Sequence, residues 1–278
     1  MAIFSGGENN GANMDFLSHV DVLRKHLVRS FIAVLVLTIV GFVFRQELFD
    51  WLVFSPIQKD FITYKLICKL AHTFQIQDMC VEPPKINFVI TDFAGEFNLA
   101  MTFAVTFGIC TAVPYIVWEL WSFIKPGLYQ SEVSKVSGIV FYISLLFFIG
   151  VAFGYFILAP SSLTFLATFK TSNQISAMPT VSTYVSLLLT MVIACGIAFQ
   201  LPVAVFLLSK LGLLSPGFMR EYRKHAYVVI TLAAAIITPT SDLFNLSIVG
   251  LPMVFLYELS IFISASVEKK ALLEYMKS

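Results

Sequence analysis

Residues 123–132 read FIKPGLYQSE and separate two apolar segments, 97–123 and 136–159, each long enough to cross a lipid bilayer. A helical span needs about 20 apolar residues to cross a hydrocarbon core of roughly 30 Å. Two such segments joined by a short polar loop predict a pair of membrane-spanning helices. Pro126 and the glycine after it predict a defined turn in this loop, and Glu132 is the carboxylate that the turn presents.

The composition of the whole chain agrees with a membrane protein. Of its 278 residues, 58% are hydrophobic and 13% are charged, and the mean hydropathy is +0.85. Soluble domains are about half apolar and a quarter charged, so the excess apolar surface must be solvated by lipid. The formal net charge of +1 gives no long-range field that would indicate a nucleic acid or an acidic surface as partner.

We predict an all-α polytopic membrane protein with six transmembrane helices. The predicted spans are residues 28–44, 97–123, 136–159, 184–208, 226–237 and 246–265. The fifth and sixth are predicted to be short, because the fifth has only enough residues to reach about 18 Å and the sixth contains Pro252 and Glu258.

The membrane domain is predicted to cover residues 15–270, between two tails. The Gly- and Asn-rich N-terminal tail, residues 1–14, is predicted to be disordered. It lacks the basic region and the adjoining apolar core of a secretory signal peptide. Residues 271–278 form a C-terminal tail.

The distribution of Lys and Arg predicts which side of the membrane carries the termini. Six spans place both termini on one side, and twelve of the 18 basic residues fall on that side. Four of the six on the opposite side lie in one long loop, residues 47–96, and a fifth, Arg45, lies just before it; the positive-inside rule has little force in such a long loop. Both termini, and the loop that contains Glu132, are therefore predicted to be cytoplasmic.

The 47–96 loop is the one substantial external segment. It begins with an amphipathic stretch in which Trp51 is a candidate interfacial anchor. Cys68 and Cys80 lie on the predicted oxidising side, so a disulfide between them and two unpaired thiols are equally reasonable expectations. Cys110 and Cys195 lie within spans and are predicted to be small packing residues.

Few polar side chains lie within or beside the predicted spans, and each is a functional candidate because such groups are costly in lipid. They are Glu119, Glu132, Glu258, Gln200 and, in the approach to the first span, Asp21 with Arg24. For each of these residues a functional and a purely structural interpretation stay open. In the structural interpretation, Glu119 and Glu258 fix helix packing by pairing and Gln200 ties two helices together. Glu132 is then a solvated surface charge. The four histidines all fall at span edges or outside the spans, which argues against a buried histidine relay.

Catalytic and cofactor signatures are absent from the sequence. It has no serine, aspartyl or HExxH protease signature, no nucleotide-binding loop and no Cys/His metal spacing. We therefore predict no enzyme, no cofactor and no metal. Three alternatives remain: a receptor that docks a partner from the cytoplasm, a secondary transporter of small ions or solutes, and a purely structural scaffold.

The sequence resembles the TatC family, the multispanning receptor subunit of the twin-arginine protein translocase, over residues 16–270. The motifs that carry the resemblance are HVDVLRKHL at 19–27, SPI at 55–57, WSFIKPGLYQSE at 121–132, FGYFILAP at 153–160, FQLPVAVFLL at 199–208, LSPGFMREYRKHAYV at 214–228 and ITPTSDLFN at 237–245. The resemblance implies a protein of the bacterial cytoplasmic (inner) membrane. It also implies binding of twin-arginine signal peptides of folded cargo, and assembly with TatA-type and TatB-type single-span subunits and further copies of itself. Export would be driven by the proton-motive force.

The resemblance also implies which residues contact the signal peptide. Glu132 corresponds to the family carboxylate that meets the arginine pair, with Phe123 and Pro126 in the same motif. The family pattern HLxELR becomes HVDVLR here, so Val22 stands where the family has glutamate and Asp21 precedes it, beside Arg24. Glu119 stands where glutamine is common and is a candidate for the missing second carboxylate.

Further positions carried over from the family lie in the membrane or on the external side. Gln200 matches a membrane-embedded Glu or Gln that contacts the signal helix or a partner helix. Pro56, Tyr155, Pro160 and Asp242 match positions that are structural or face partner subunits.

Overall fold

A computed structural model describes residues 10–73, 83, 88–90, 92–124, 138–169, 178–210, 212–238 and 242–275, and side chains at 10–19, 70–71 and 270–275 are not described. Within these ranges the chain is helical, and an isolated parallel bridge joins Val89 to Thr180. The α-helices are α1 (Asn10–Val43), α2 (Arg45–Leu48), α3 (Ile62–Thr73), α4 (Gly95–Ile124), α5 (Ile139–Phe153), α6 (Ala159–Thr168), α7 (Val181–Ala198), α8 (Leu201–Lys210), α9 (Pro216–Glu221), α10 (Arg223–Ile237) and α11 (Leu243–Tyr275). Two π-helices, Phe49–Val53 and Gly154–Leu158, and a 3₁₀ helix, Ser55–Ile57, link some of them.

Five helical segments are long and apolar enough to cross a membrane. They are Val20–Val43, Gly95–Phe123, Ile139–Thr168, Val181–Lys210 and Leu243–Lys269. The predicted all-helical membrane fold is therefore confirmed. The predicted fifth span coincides with α10, whose 15 residues extend only about 22 Å.

The prediction of a short sixth helix is wrong. Helix α11 has 33 residues and continues through Pro252 and Glu258. A proline within a membrane helix is tolerated where its surroundings satisfy the freed backbone group. The carboxylate of Glu258 is neutralised by hydrogen bonds from neighbouring side chains, so neither residue ends the helix.

Helix α1 also differs from the sequence expectation at its start. It begins at Asn10, inside the segment predicted as a disordered tail, while residues 1–9 lie outside the described part.

The chain divides into two compact units. The first comprises Met1–Val43 and Ala104–Ser144, and the second comprises Phe44–Phe103 and Leu145–Ser278. The boundaries fall inside α4 and α5, so these helices contribute to both units.

In the first unit, small residues bring α1 and α4 close together. A Cβ atom added at Gly108 would lie 2.8 Å from the backbone nitrogen of Thr38, and one added at Gly41 would lie 3.6 Å from the Cα of Ala104. Lipid supplies no hydrophobic drive for helix association, so close backbone approach at small residues is the usual basis of such packing. The other faces of α1 are exposed and apolar, as lipid-facing residues are.

In the second unit, helix α5 and its π-helical extension cross α7 at glycines. A Cβ at Gly150 would lie 2.6 Å from the carbonyl oxygen of Cys195, and a Cβ at Gly154 would lie 3.0 Å from that of Met191. An apolar cluster joins α7 and α8 to α10 and α11, and includes Met191, Ile230 and Val249. The fourth long segment is interrupted beside Pro202: α7 ends at Ala198 and α8 begins at Leu201.

Candidate functional site

In the first unit, α1 and α4 meet at the carboxylate of Glu119. Only 3% of this side chain is exposed. His26 Nδ1 donates a hydrogen bond to Oε2, and the hydroxyl of Tyr115 donates one of 2.8 Å to Oε1. Arg29 adds a longer-range electrostatic attraction. The structure thus places Glu119 in a paired environment, with one donor on each helix.

Helical spacing explains why these side chains converge. Tyr115, Glu119 and Phe123 are four residues apart, so they line one face of α4. His26 lies on the face of α1 that meets them, and its ring contacts Phe123 edge-on, with 6.2 Å between ring centroids. The His26 side chain is only 16% exposed, so it is largely covered although it lies at the edge of the first predicted span.

Two of the predicted signal-peptide contacts, Asp21 and Arg24, are exposed on α1 within two turns of His26. Val22 lies four residues before His26 and therefore shares its side of the helix. Glu132 and Pro126 lie outside the described residues, in the segment that follows the end of α4 at Ile124.

Gln200 belongs to the second unit, at the break between α7 and α8. Its backbone nitrogen bonds the carbonyl of Ile197, and its own carbonyl accepts bonds of 3.0 Å from both Val203 and Ala204. The main chain of Gln200 therefore ends one helix and starts the next, and its side chain is partly buried.

Pro56, Tyr155 and Pro160 are brought together in the second unit by hydroxyl bonds to carbonyls. A helical proline has no N–H to offer the carbonyl four residues earlier. For Pro56 that carbonyl belongs to Leu52, and it accepts a bond of 2.8 Å from the hydroxyl of Tyr155. For Pro160 it belongs to Phe156, and the hydroxyl of Thr63 on α3 donates to it.

A third hydroxyl completes this arrangement, which we call the hydroxyl clasp: Thr63, Tyr155 and Tyr184 with the carbonyls that they bind. The hydroxyl of Tyr184 donates a bond of 2.6 Å to the carbonyl of Val53, a fully buried residue. That carbonyl has no helical partner, because the nitrogen of Ile57 bonds Phe54 instead. The clasp ties the first short helices and α3 to the third and fourth long helical segments.

The remaining predicted positions are local in their effect. Asp242 accepts a bond of 2.9 Å from the backbone nitrogen of Asn245 and so caps the start of α11. Cys68 is disulfide-bonded, whereas Cys110 and Cys195 are free thiols. The predicted partner Cys80 lies outside the described residues, and the pairing stays a prediction.

Glu258 forms a second paired carboxylate, in the second unit. Arg223 Nη2 donates a bond of 2.7 Å to Oε2, and the hydroxyl of Tyr227 donates one of 2.6 Å to Oε1. Both donors lie on α10, so the cluster ties α10 to α11. Among the described residues, no group of His, Cys, Asp and Glu side chains is arranged to hold a metal ion.

Glu119 and Glu258 stand out in the sequence, but their partners do not. His26, Tyr115, Arg223 and Tyr227 were available as donors, yet only Tyr115 has a helical spacing to its carboxylate that a sequence displays. Thr63 and Tyr184 of the hydroxyl clasp were missed for the same reason, and Tyr155 was predicted only as a position shared with the family, since each donor lies 93 residues or more from its acceptor.

Comparisons with known proteins agree with this architecture. The model of the family described as Sec-independent protein translocase protein (TatC) matches residues 18–252. A TatC protein of Blattabacterium sp. (strain BPLAN) is 36% identical over 265 residues, which are 95% of this chain and 99% of the relative. TatCy of Bacillus subtilis (strain 168) is 31% identical over 258 residues, 93% of this chain and 91% of the relative.

Solved structures show the same likeness. A crystal structure described as the twin arginine translocase receptor TatC superposes with a TM-score of 0.68 and 27% identity, over 90% of this chain and 99% of that one. A second crystal structure of that receptor, in DDM, gives a TM-score of 0.68 and 28% identity over 88% of this chain. The chain therefore belongs to the TatC family of Sec-independent protein translocase proteins.

Proposed function

We propose that this protein is the signal-receptor subunit of a twin-arginine translocase. It binds the twin-arginine signal peptides of folded cargo at its cytoplasmic face. It assembles with TatA-type and TatB-type single-span subunits and with further copies of itself, and export is driven by the proton-motive force. No catalytic step is part of this proposal.

The observation that carries the proposal is the likeness over 90% of the chain to a structure described as the twin arginine translocase receptor. Membership of the TatC family makes the chain a component of Sec-independent protein transport. The long apolar helices are those of a multi-pass membrane protein, and we place it in the bacterial inner membrane.

We propose six spans, with α10 as the short fifth span and both termini in the cytoplasm. An even number of spans and the excess of Lys and Arg on the terminal side support this orientation. It places the Glu119 end of α4 and the loop that follows it on the cytoplasmic side.

Glu132 is proposed as the main contact of the arginine pair. A guanidinium is always charged, binds carboxylates with two parallel hydrogen bonds and is more weakly hydrated than an ammonium, so arginines are distinguished from lysines. Phe123, the last aromatic residue of α4 before this loop, contacts the ring of His26 on α1. This contact supports a site to which both α1 and the loop contribute.

Asp21 and Arg24 are the α1 residues proposed to take part, since both are exposed near His26. Val22 offers the peptide no charge. Gln200 is proposed to contact the signal helix or a partner helix. Pro56, Tyr155, Pro160 and Asp242 are proposed to shape the surface that partner subunits meet.

The alternative function, a secondary transporter of small ions or solutes, gains no support from the comparisons, since the relatives described above are protein translocase components. A transporter would need carboxylates available to its substrate. Glu258 is instead held by two donors within the protein.

The receptor proposal is tested by the replacement Glu132→Ala. A twin-arginine signal peptide and its twin-lysine analogue are titrated against the purified chain in detergent, with fluorescence anisotropy as the readout. Wild type is expected to prefer the arginine peptide. Glu132→Ala is expected to lose about tenfold in affinity for it, because one charge-assisted contact is removed.

Glu96→Ala is the matched control, because Glu96 is exposed in the first turn of α4, at the opposite end of that helix. It should bind both peptides as wild type does. Equal, weak binding of both peptides by all three proteins would contradict the proposal and return Glu132 to a solvated surface charge.

A further inference from the structure

The paired carboxylate of Glu119 lies beside the segment to which the signal peptide is proposed to bind, but it is covered. We propose that His26 is a removable cover on Glu119, and that an arginine side chain of the signal peptide displaces His26 and binds this carboxylate. The inference rests on the proposed receptor function and adds a binding residue and its regulation to that site.

The charges around the site show why Glu119 is needed. Residues 20–43 and 104–124 carry three formal cations, Arg24, Lys25 and Arg29, against the carboxylates of Asp21 and Glu119. While His26 holds Glu119, the exposed part of this surface is dominated by the cations. An uncovered Glu119 would offset this positive charge and would add a carboxylate to the contact proposed at Glu132.

The geometry shows why His26 is the group that gives way. Tyr115 lies on the same helix as Glu119, at the favourable spacing of four residues, and occupies only Oε1. His26 comes from the other helix and occupies Oε2. An ionised carboxylate has about four acceptor sites, so a guanidinium can bind Oε2 while Tyr115 keeps its bond to Oε1.

The chemistry favours the exchange. Arginine is always charged and offers a fork of donors, whereas one imidazole nitrogen makes the resident contact. The exchange also explains how the site gains a carboxylate although Val22 of α1 has none. Glu119 of α4 supplies the carboxylate at the position of His26, which lies one turn after Val22 on the same side of α1.

The test uses variants for which a removable cover on Glu119 and a purely structural tie between α1 and α4 predict opposite results. His26→Arg places a permanent guanidinium on Glu119 and is expected to weaken binding of the twin-arginine peptide about tenfold. His26→Ala uncovers the carboxylate and is expected to tighten binding several-fold. Glu119→Gln is expected to weaken binding about tenfold and to remove most of the difference between His26→Arg and His26→Ala in the double variants.

A merely structural tie predicts another pattern. His26→Ala and Glu119→Gln would then both weaken binding by loosening α1 from α4, and His26→Arg, which keeps the tie, would bind as wild type does. That pattern overturns the inference. Melting temperatures of all variants in detergent accompany the titrations, so that a loss of folding is not read as a loss of binding.

The same titrations separate this inference from the proposed function. Suppose that Glu132→Ala abolishes the preference for the arginine peptide, while the His26 variants bind as a structural tie predicts. The receptor proposal then stands, and the proposal that His26 is a removable cover on Glu119 fails. If wild type shows no preference for the arginine peptide over the lysine peptide, the receptor proposal itself fails, and the inference fails with it.

Discussion

Replacing Gly150 by leucine is expected to prevent stable folding of the second unit. A Cβ atom at this position would lie 2.6 Å from the carbonyl oxygen of Cys195, 2.8 Å from the Cβ of Phe199 and 3.0 Å from the Cα of Gly196. Two of these neighbours are backbone atoms of α7, which cannot move aside as the end of a side chain can. We expect a loss of at least about 3 kcal/mol in the free energy of unfolding, because the two helices must separate.

The measurement is thermal unfolding of the purified chain in detergent, together with its elution as a single species in size-exclusion chromatography. Gly150→Ala is expected to show a smaller loss in the same direction, since the Cβ alone already meets the carbonyl. Gly250→Leu is the matched control. Gly250 lies inside helix α11, and a Cβ there meets no atom within 4 Å.

We expect Gly250→Leu to leave stability unchanged or to raise it by up to about 1 kcal/mol, because glycine is a poor helix former. A wild-type melting temperature for Gly150→Leu would mean that α5 and α7 do not cross at this glycine. A loss for Gly250→Leu equal to that of Gly150→Leu would mean that bulk at any helical glycine is harmful.

The membrane class and most of the spans could be predicted from the sequence because they depend on the chain's own apolar runs. Span length is set by the bilayer, so an uninterrupted run such as residues 136–159 identifies its helix. The prediction failed at α11, where Pro252 and Glu258 inside the segment suggested a short span. The pairing that keeps Glu258 in a helix comes from Arg223 and Tyr227, and no periodicity reveals a partner on another helix.

The candidate site was predicted only in part, for the same physical reason. Glu119 stands out because a carboxylate in an apolar run is costly. Its hydrogen bond with His26 depends on how α1 and α4 cross, which the close contacts at Gly108 and Gly41 determine. Those contacts join residues far apart in sequence, and a list of polar residues cannot supply them.

Replacing both Tyr184 and Tyr155 by phenylalanine is expected to release the first short helices from the long ones. The rings of the hydroxyl clasp stay in place, so apolar packing is retained, but the carbonyls of Val53 and Leu52 lose their donors. A carbonyl left unpaired in a buried site costs about 1–3 kcal/mol. The double variant is therefore expected to lose about 2–6 kcal/mol if the two losses add.

The measurement combines thermal unfolding with amide hydrogen exchange, because the clasp predicts where protection is lost. Amides of residues 49–57 and of α3 should exchange faster in the double variant, and the amides of α10 and α11 should not be the first to lose protection. Tyr142→Phe is the control, since Tyr142 is exposed on α5 and its ring has the same chemistry. Uniform loss of protection across the chain would contradict a local clasp and indicate general destabilisation.

Combining Tyr155→Phe with Pro56→Ala tests why a proline occupies position 56. Pro56 and Pro160 each leave a carbonyl without its helical donor, and a hydroxyl from a distant segment binds that carbonyl. If the prolines serve to create these acceptors, Pro56→Ala should restore a helical partner to Leu52 and make the Tyr155 hydroxyl less important. The cost of Tyr155→Phe should then be smaller in the Pro56→Ala background than in wild type. An unchanged cost would mean that proline and hydroxyl act independently.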